Sequence, residues 1–316
     1  MQPATQTSPS PAVQQIQALR SSIGRMIRGK DEIIELVVAA LLAQGHVLLE
    51  DLPGVGKTTL AQALARSLDA SFRRIQFTSD LLPSDILGVS IWKESDRRFE
   101  LVPGPIFHHI ILADEINRAS PKTQSALLEA MSEGQVSIEN ETLKLPQPFF
   151  VIATQNPHEP HGTFPLPESQ LDRFLMRLSM GYPAEAEERD ILRETLGHPE
   201  WSSLKPVLGV NAMSDLQAAA AAVRVEETVL DYIVRLSGAT RADARFTQGM
   251  SPRGSLALKR AAQALALVRG RGFVIPEDVQ TVAKPVMLHR IIAKDPRQKP
   301  ADLVLDELIK TVPSPK

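Results

Sequence analysis

The sequence predicts an α/β fold: a parallel sheet with helices on both faces, followed by a C-terminal domain of helices alone. Three observations carry this. An apolar run at residues 46–49 leads into the glycine-rich stretch Glu50-Asp51-Leu52-Pro53-Gly54-Val55-Gly56-Lys57-Thr58-Thr59. A second apolar run, residues 110–113, ends abruptly in Asp114-Glu115. Beyond Pro183 the apolar spacing is almost wholly helical.

Taken in order, residues 1–15 are rich in Gln, Thr, Ser and Pro and read as a disordered tail, with domain structure from residue 13 onward. Residues 13–27 place Ile16, Leu19, Ile23 and Ile27 on one helical side. Arg28-Gly29-Lys30 breaks that helix, and Asp31 is placed to cap the next, residues 32–44. The break is either a segment lying near a bound adenine or a plain interhelical turn.

The stretch from Glu50 to Thr59 is a phosphate-binding loop between a buried strand and a helix whose Leu60, Leu64 and Leu68 recur every four residues. Backbone N–H groups around Gly54 and Gly56 can point at phosphate oxygens, aided by the positive end of the following helix, with Pro53 and Val55 counted in the same binding turn. Lys57 reaches the β- and γ-phosphates as a point charge, and the Thr58 hydroxyl, followed by Thr59, can ligate magnesium. One position departs from the general pattern: its first glycine falls on Asp51, a residue type that tolerates left-handed backbone angles.

Residues 72–78 read as a strand and 81–87 as a short helix, and two hairpins are expected near 89–102 and 135–145. Between them, the run ending in Asp114-Glu115 is how a buried parallel strand delivers carboxylates to a ligand-binding sheet edge. Asp114 is expected to hold the magnesium of a bound triphosphate, and Glu115 to orient and deprotonate the attacking water. A helix at 121–131 and a buried strand at 149–153 follow. Asn156 then stands one strand over from the acids, either positioning water near a γ-phosphate or simply turning the chain before Pro157. The strand-rich domain is expected to span 13–182 and the helical domain 183–316, with helices at 184–196, 212–222, 226–236, 251–268, 276–292 and 301–310.

The chain's 316 residues suffice for about two domains, and a 43% hydrophobic, 23% charged composition with net charge −2 is that of an ordinary globular protein. That balance does not advertise a nucleic-acid binder. With no cysteine, disulfides and thiolate metal sites are excluded. No stretch reads as a membrane span or secretory signal, and the expected location is cytoplasmic.

The phosphate loop, Asp114-Glu115, Asn156, Arg173 and Arg253 occur in the order used by AAA+ ATPases of the P-loop NTPase class. Leu112-Ala113-Asp114-Glu115-Ile116-Asn117-Arg118-Ala119, Gly104-Pro105-Ile106-Phe107, Ala153-Thr154-Gln155-Asn156-Pro157 and Ser251-Pro252-Arg253 resemble the MoxR family over roughly residues 13–295. Asp51 also looks usual for that family. The resemblance implies an AAA+ core with an all-helical lid, ATP and Mg²⁺ as ligands, and hydrolysis of ATP. It implies Asn156 as sensor 1, Arg173 as an arginine finger reaching a neighbouring subunit's γ-phosphate, and Arg253 as sensor 2. The alternative for Arg173 is an ion pair with Asp172 or Glu168; for Arg253, solvation at a helix start. It further implies a homo-oligomeric ring, a hexamer, that remodels, matures or loads metal into a client protein, with von Willebrand factor A domain proteins among the clients. Rival readings on the same fold are a chelatase motor subunit and a nucleic-acid motor or loader. The second draws on Arg241, Arg245, Arg253, Lys259, Arg260, Arg269 and Arg271, but interleaved acids and the lack of an aromatic platform speak against it.

Overall fold

The computed structural model describes residues 10–138, 141–156, 162–193, 201–295, 297 and 299–315. Most of the expected tail, the turn at Glu139-Asn140, the start of the loop after Asn156 and the end of the helix expected at 184–196 lie outside the described residues.

Helix starts follow a repeated local rule. Helix α1 (Pro11–Gly24) begins earlier than the sequence led us to expect, because Ser10 accepts a hydrogen bond from Val13 N and Pro11 takes the first turn. Helix α2 (Asp31–Leu42) differs: Asp31 is its first helical residue, Lys30 is the N-cap, and no side chain caps it. Asp31 therefore acts on the helix dipole and not as a cap.

Strand β1 (Val47–Glu50) feeds helix α3 (Lys57–Ser67), then strand β2 (Phe72–Gln76) and helix α4 (Pro83–Leu87). A hairpin of β3 (Gly88–Lys93) and β4 (Arg98–Pro103) precedes β5 (Ile110–Asp114) and helix α5 (Pro121–Glu133). A second hairpin, β6 (Gln135–Ile138) with β7 (Glu141–Lys144), precedes β8 (Phe150–Gln155), the short helix α6 (Glu168–Leu171) and β9 (Met176–Leu178). Strands β1, β2, β5, β8 and β9 form one parallel sheet in the order β2-β5-β8-β1-β9.

Alternating residues of the central strands face two cores, as a two-residue side-chain period requires. Val47, Leu49, Ile110, Leu112, Phe150 and Ile152 pack with α1, α2 and α3. Leu48, Ile111, Ala113, Val151 and Ala153 pack with Ile86 and with Leu127, Leu128 and Ala130 of α5. The three central strands are thus apolar on both faces, and their polar side chains gather at the strand ends, while the edge strands β2 and β9 carry Arg73, Arg74 and Arg177. The register aligns those ends, pairing Gln76 with Asp114 and Glu50 with Gln155.

The C-terminal region contains helices α7 (Glu185–Arg193), α8 (Asn211–Ala221), α9 (Glu227–Ala242), α10 (Pro252–Val268), α11 (Pro276–Met287) and α12 (Ala301–Thr311). It is not built of helices alone. Strand β10 (Phe246–Gln248) pairs antiparallel with β11 (Ile292–Ala293). The helix expected over 276–292 ends at Met287 and gives way to a 3₁₀ turn, Leu288–Arg290. The reason is tertiary: His289 and Arg290 turn inward to the carbonyls of Phe174 and Leu175, which an unbroken helix could not reach. The same region docks on the open end of α2, whose last carbonyls lack helical partners. Gln217 donates to Leu41 O at 2.9 Å and Arg260 to Ala43 O.

Candidate functional site

The phosphate loop turns on two left-handed glycines, Gly54 (φ 88°) and Gly56 (φ 95°), which a side chain would strain. Gly56 is the N-cap of α3, so that helix's free N–H groups open onto the loop. A Cβ added at Gly54 would meet nothing within 4 Å. The loop borders a cleft of about 360 Å³ lined by Pro53, Gly54, Gly56, Lys57, Thr58 and Thr59 on one side. Asp114, Glu115, Asn156 and Arg74 line the other. Val55, expected among the ligand-binding residues, does not line the cleft: its side chain is partly buried against the apolar core.

Lys57 Nζ donates to Asp51 O at 3.0 Å. Asp51 is not among the residues with positive φ, so its place in the loop does not depend on left-handed tolerance. Its carboxylate is used instead. It accepts from Ser179 Oγ at 2.7 Å, Met180 N at 2.6 Å and Gly181 N at 3.0 Å.

The acids are held in a defined geometry. Thr154 Oγ1 donates to Asp114 Oδ1 at 2.6 Å and accepts from Glu115 N at 2.9 Å. Arg74 reaches Asp114 Oδ2 through Nε at 3.0 Å and Nη2 at 2.5 Å. Gln76 Nε2 donates to Glu115 Oε2 at 2.8 Å, and Arg118 Nε lies 3.2 Å from the same oxygen. Glu115 is left-handed (φ 57°, ψ 49°), a conformation that costs a non-glycine residue about 1–3 kcal/mol and collects at functional sites. Asn156, buried at the end of β8, completes this side. The donors fit a triphosphate with magnesium: one hydroxyl (Thr58) and one carboxylate (Asp114) are the sparse protein ligand set that Mg²⁺ takes while keeping waters and phosphate oxygens.

The two arginines are elsewhere and do not line this cleft. Arg173 Nη1 donates to Leu128 O at 2.6 Å and Ser132 Oγ at 2.9 Å on α5. Asp172, the alternative partner for Arg173, instead takes Arg290 Nε at 2.7 Å and stands 3.5 Å from Arg253 Nε. Arg253, at the first turn of α10, is largely exposed. Arg173 thus belongs to the segment 172–175 that the buried Arg290 grips, and Arg253 adjoins that segment at Asp172.

Arg74, Gln76 and Thr154 escaped the sequence reading. Arg74 and Gln76 lie two apart at the end of a strand, hence on one face, and that spacing was the available signal. Among the cations offered for nucleic-acid binding, Arg245 pairs with Asp243 and Glu307, Arg271 with Asp278, and Arg269 with Glu35 and Asp278.

This order of strands, with the loop strand and the acid strand on either side of β8, and this cleft define a P-loop ATPase core of the AAA+ class. Residues 46–176 match the family described as "ATPase family associated with various cellular activities (AAA)", and residues 238–308 match the "AAA lid domain". The chain is 42% identical over 307 residues to "Chaperone MoxR1" of Mycobacterium tuberculosis (strain ATCC 25618 / H37Rv), covering 93% of this chain and 81% of that one. It is 33% identical to "Protein MoxR" of Methylorubrum extorquens, covering 93% of each chain, and 53% identical to "Uncharacterized protein YeaC" of Bacillus subtilis (strain 168), covering 85% and 84%. The crystal structure of a putative ATPase from Cytophaga hutchinsonii superposes with a TM-score of 0.89 at 35% identity, covering 96% of each chain. The protein is a member of the MoxR family of AAA+ ATPases.

Proposed function

We propose that this protein hydrolyses ATP to ADP and phosphate at the seam between subunits of a homo-oligomeric ring, a hexamer, and uses the energy to remodel, mature or load metal into a client protein. What carries the reading is convergence. Lys57, Thr58, Asp114, Glu115 and Asn156 come from one loop and two adjacent strand ends and meet in a single cleft.

In this mechanism the loop N–H groups and Lys57 hold the β- and γ-phosphates. Thr58 and Asp114 would hold magnesium, which when bound neutralises charge on the β- and γ-oxygens. Glu115 accepts the proton of the attacking water at a carboxylate oxygen, and Asn156 orients that water. Gln76 and Arg118 fix the Glu115 carboxylate, while Thr154 and Arg74 fix Asp114. Arg253, at the start of α10, acts as sensor 2, and Arg173, whose side chain lies on α5 away from its own subunit's cleft, serves as the arginine finger for the nucleotide of the neighbouring subunit. There a guanidinium stabilises charge on the transferring phosphoryl group, an effect worth about 10³–10⁵ in rate.

Residues 13–182 act as the rigid nucleotide domain and 183–316 as the lid that moves against it. Clients are proteins, those with a von Willebrand factor A domain among them, and the site of action is the cytoplasm. Among the described residues, no helix is long and apolar enough to cross a membrane.

The test is Glu115→Gln. The variant keeps ATP binding, loses turnover by roughly 10²-fold or more, and, by trapping ATP, retains client proteins in pull-downs. Turnover at the wild-type level removes Glu115 from this role and overturns the mechanism.

A further inference from the structure

Asp51 stands where the general phosphate-loop pattern has glycine, yet its backbone is not left-handed. Only its side chain therefore distinguishes it. That side chain is buried, and both carboxylate oxygens are filled from one short strap of chain. Oδ1 takes the Ser179 hydroxyl and the Gly181 N–H, and Oδ2 takes the Met180 N–H. Gly181, at φ 61°, makes the turn that lets consecutive N–H groups converge on one carboxylate. The strap leaves β9 and leads into α7.

The strap also meets the loop at Gly56, and the residue after the strap meets the connection between α1 and α2. Ile27 Cδ1 and Met180 Cε would both lie 3.7 Å from a Cβ placed on Gly56, and Lys30 Nζ donates to Tyr182 O at 2.7 Å. Asp51's backbone carbonyl, meanwhile, accepts Lys57 Nζ. One residue thus grips the phosphate-binding ammonium through its carbonyl and the strap through its carboxylate.

We infer that Asp51 is a positioning residue that latches the phosphate loop to the strap 179–181, so that occupation of the loop is conveyed to the chain entering the helical region. The inference rests on the reading that the loop binds a nucleoside triphosphate. Phosphates compete for the Lys57 ammonium, and any resulting shift at Asp51 is transmitted by three hydrogen bonds to its carboxylate, two of them short. Glycine at this position would match the general pattern and keep the carbonyl, yet leave the Ser179 hydroxyl and two N–H groups without their acceptor.

The experiment is hydrogen–deuterium exchange on the wild type, Asp51→Gly and Asp51→Asn, alone and with ADP or a non-hydrolysable ATP analogue plus Mg²⁺. Two segments are read: the loop, 52–60, and the strap with α7, 179–193. In the wild type nucleotide changes both. In Asp51→Gly the loop is still protected, with nucleotide affinity within about threefold, but the strap no longer responds; kcat falls about tenfold while KM holds. Asp51→Asn, which turns an amide N–H toward Met180 N, loses at least about half of the strap response, and it decides the question if the glycine variant does not fold. A strap response in the variants equal to the wild type's, with the loop protected, overturns the latch and leaves the nucleotide reading intact. A wild-type loop that nucleotide does not protect overturns the nucleotide reading, and the latch with it.

Discussion

Replacing Arg290 by methionine removes the guanidinium that ties the helical region to the segment carrying Arg173. Arg290 Nε donates to Asp172 Oδ1 at 2.7 Å, Nη1 to Leu175 O at 3.1 Å, and Nη2 to Phe174 O at 2.6 Å and Asp172 O at 3.2 Å. Its side chain is only 4% exposed, so these carbonyls have no ready substitute in water. Breaking a buried pair by deleting one partner costs about 3–5 kcal/mol, because the other is left desolvated. Asp172 is 22% exposed and keeps Arg253 at 3.5 Å, which places Arg290→Met near the lower end, about 3 kcal/mol. For a chain this long, about 2 °C of melting temperature accompanies each kcal/mol, so a fall of about 6 °C is expected by scanning fluorimetry. Below that melt the fold persists but the segment carrying Arg173, the proposed finger, is loose. ATP hydrolysis should then fall by about 10²-fold, part of the 10³–10⁵ a finger supplies. Arg290→Lys, with a point charge and fewer donors, should be intermediate in both. A melting shift under 2 °C with unchanged hydrolysis would refute the assignment of Arg290 as the clamp.

Lys57→Ala should abolish the thermal stabilisation that saturating ATP confers on the wild type, which is about 2.7 kcal/mol at one hundred times Kd; unchanged stabilisation would take Lys57 off the phosphates. Arg173→Ala should be inactive alone yet regain hydrolysis when mixed with Lys57→Ala subunits, since each supplies what the other lacks; no recovery at any ratio argues against action in trans. Asp114→Asn should raise the magnesium concentration needed for half-maximal nucleotide binding, read by titration calorimetry, and an unaltered requirement would remove Asp114 from the metal site. His46 yields a prediction about pH. Burial lowers its pKa from 6.5 to about 4; Nε2 lies 3.0 Å from Met131 O, and Nδ1 accepts from Val151 N at 3.1 Å. The folded state therefore resists protonation, and the stability of this group is intact above about pH 6.5 and lost as pH falls toward 4. Between pH 7 and 4.5 the wild type should lose about 2 kcal/mol more in urea denaturation than His46→Gln, and equal slopes would refute the assignment.

The elements that surround the nucleotide cleft were legible before any tertiary structure. Gly54, Gly56, Lys57 and Thr58 sit within one turn, and Asp114-Glu115 close one apolar run, so backbone rules and a two-residue period suffice to locate them. The helix starts near 121 and 251 were legible too, because Ser120 and Ser251 cap them by local hydrogen bonding alone, whereas the same Ser-Pro signal at 10–11, which starts α1, escaped the sequence reading. Strand β9 was less visible. It is three residues long, and only pairing with β1 makes it a strand.

What local pattern could not decide was which distant side chains meet. Strand order brings β8 between the loop strand and the acid strand, so Thr154 joins the acids, and β2 lies beside β5, so Arg74 and Gln76 do too. The order of strands in a parallel sheet is chosen by which apolar faces can be covered together, a property of the whole core. In the same way Asp172 goes to Arg290 and Arg253 instead of to Arg173, and Asp51 goes to the strap. The sequence by itself determined that a glycine-rich phosphate loop and an acid pair exist; packing decided which cations, amides and N–H groups hold them, because such partners are set by proximity in space and leave no period along the chain.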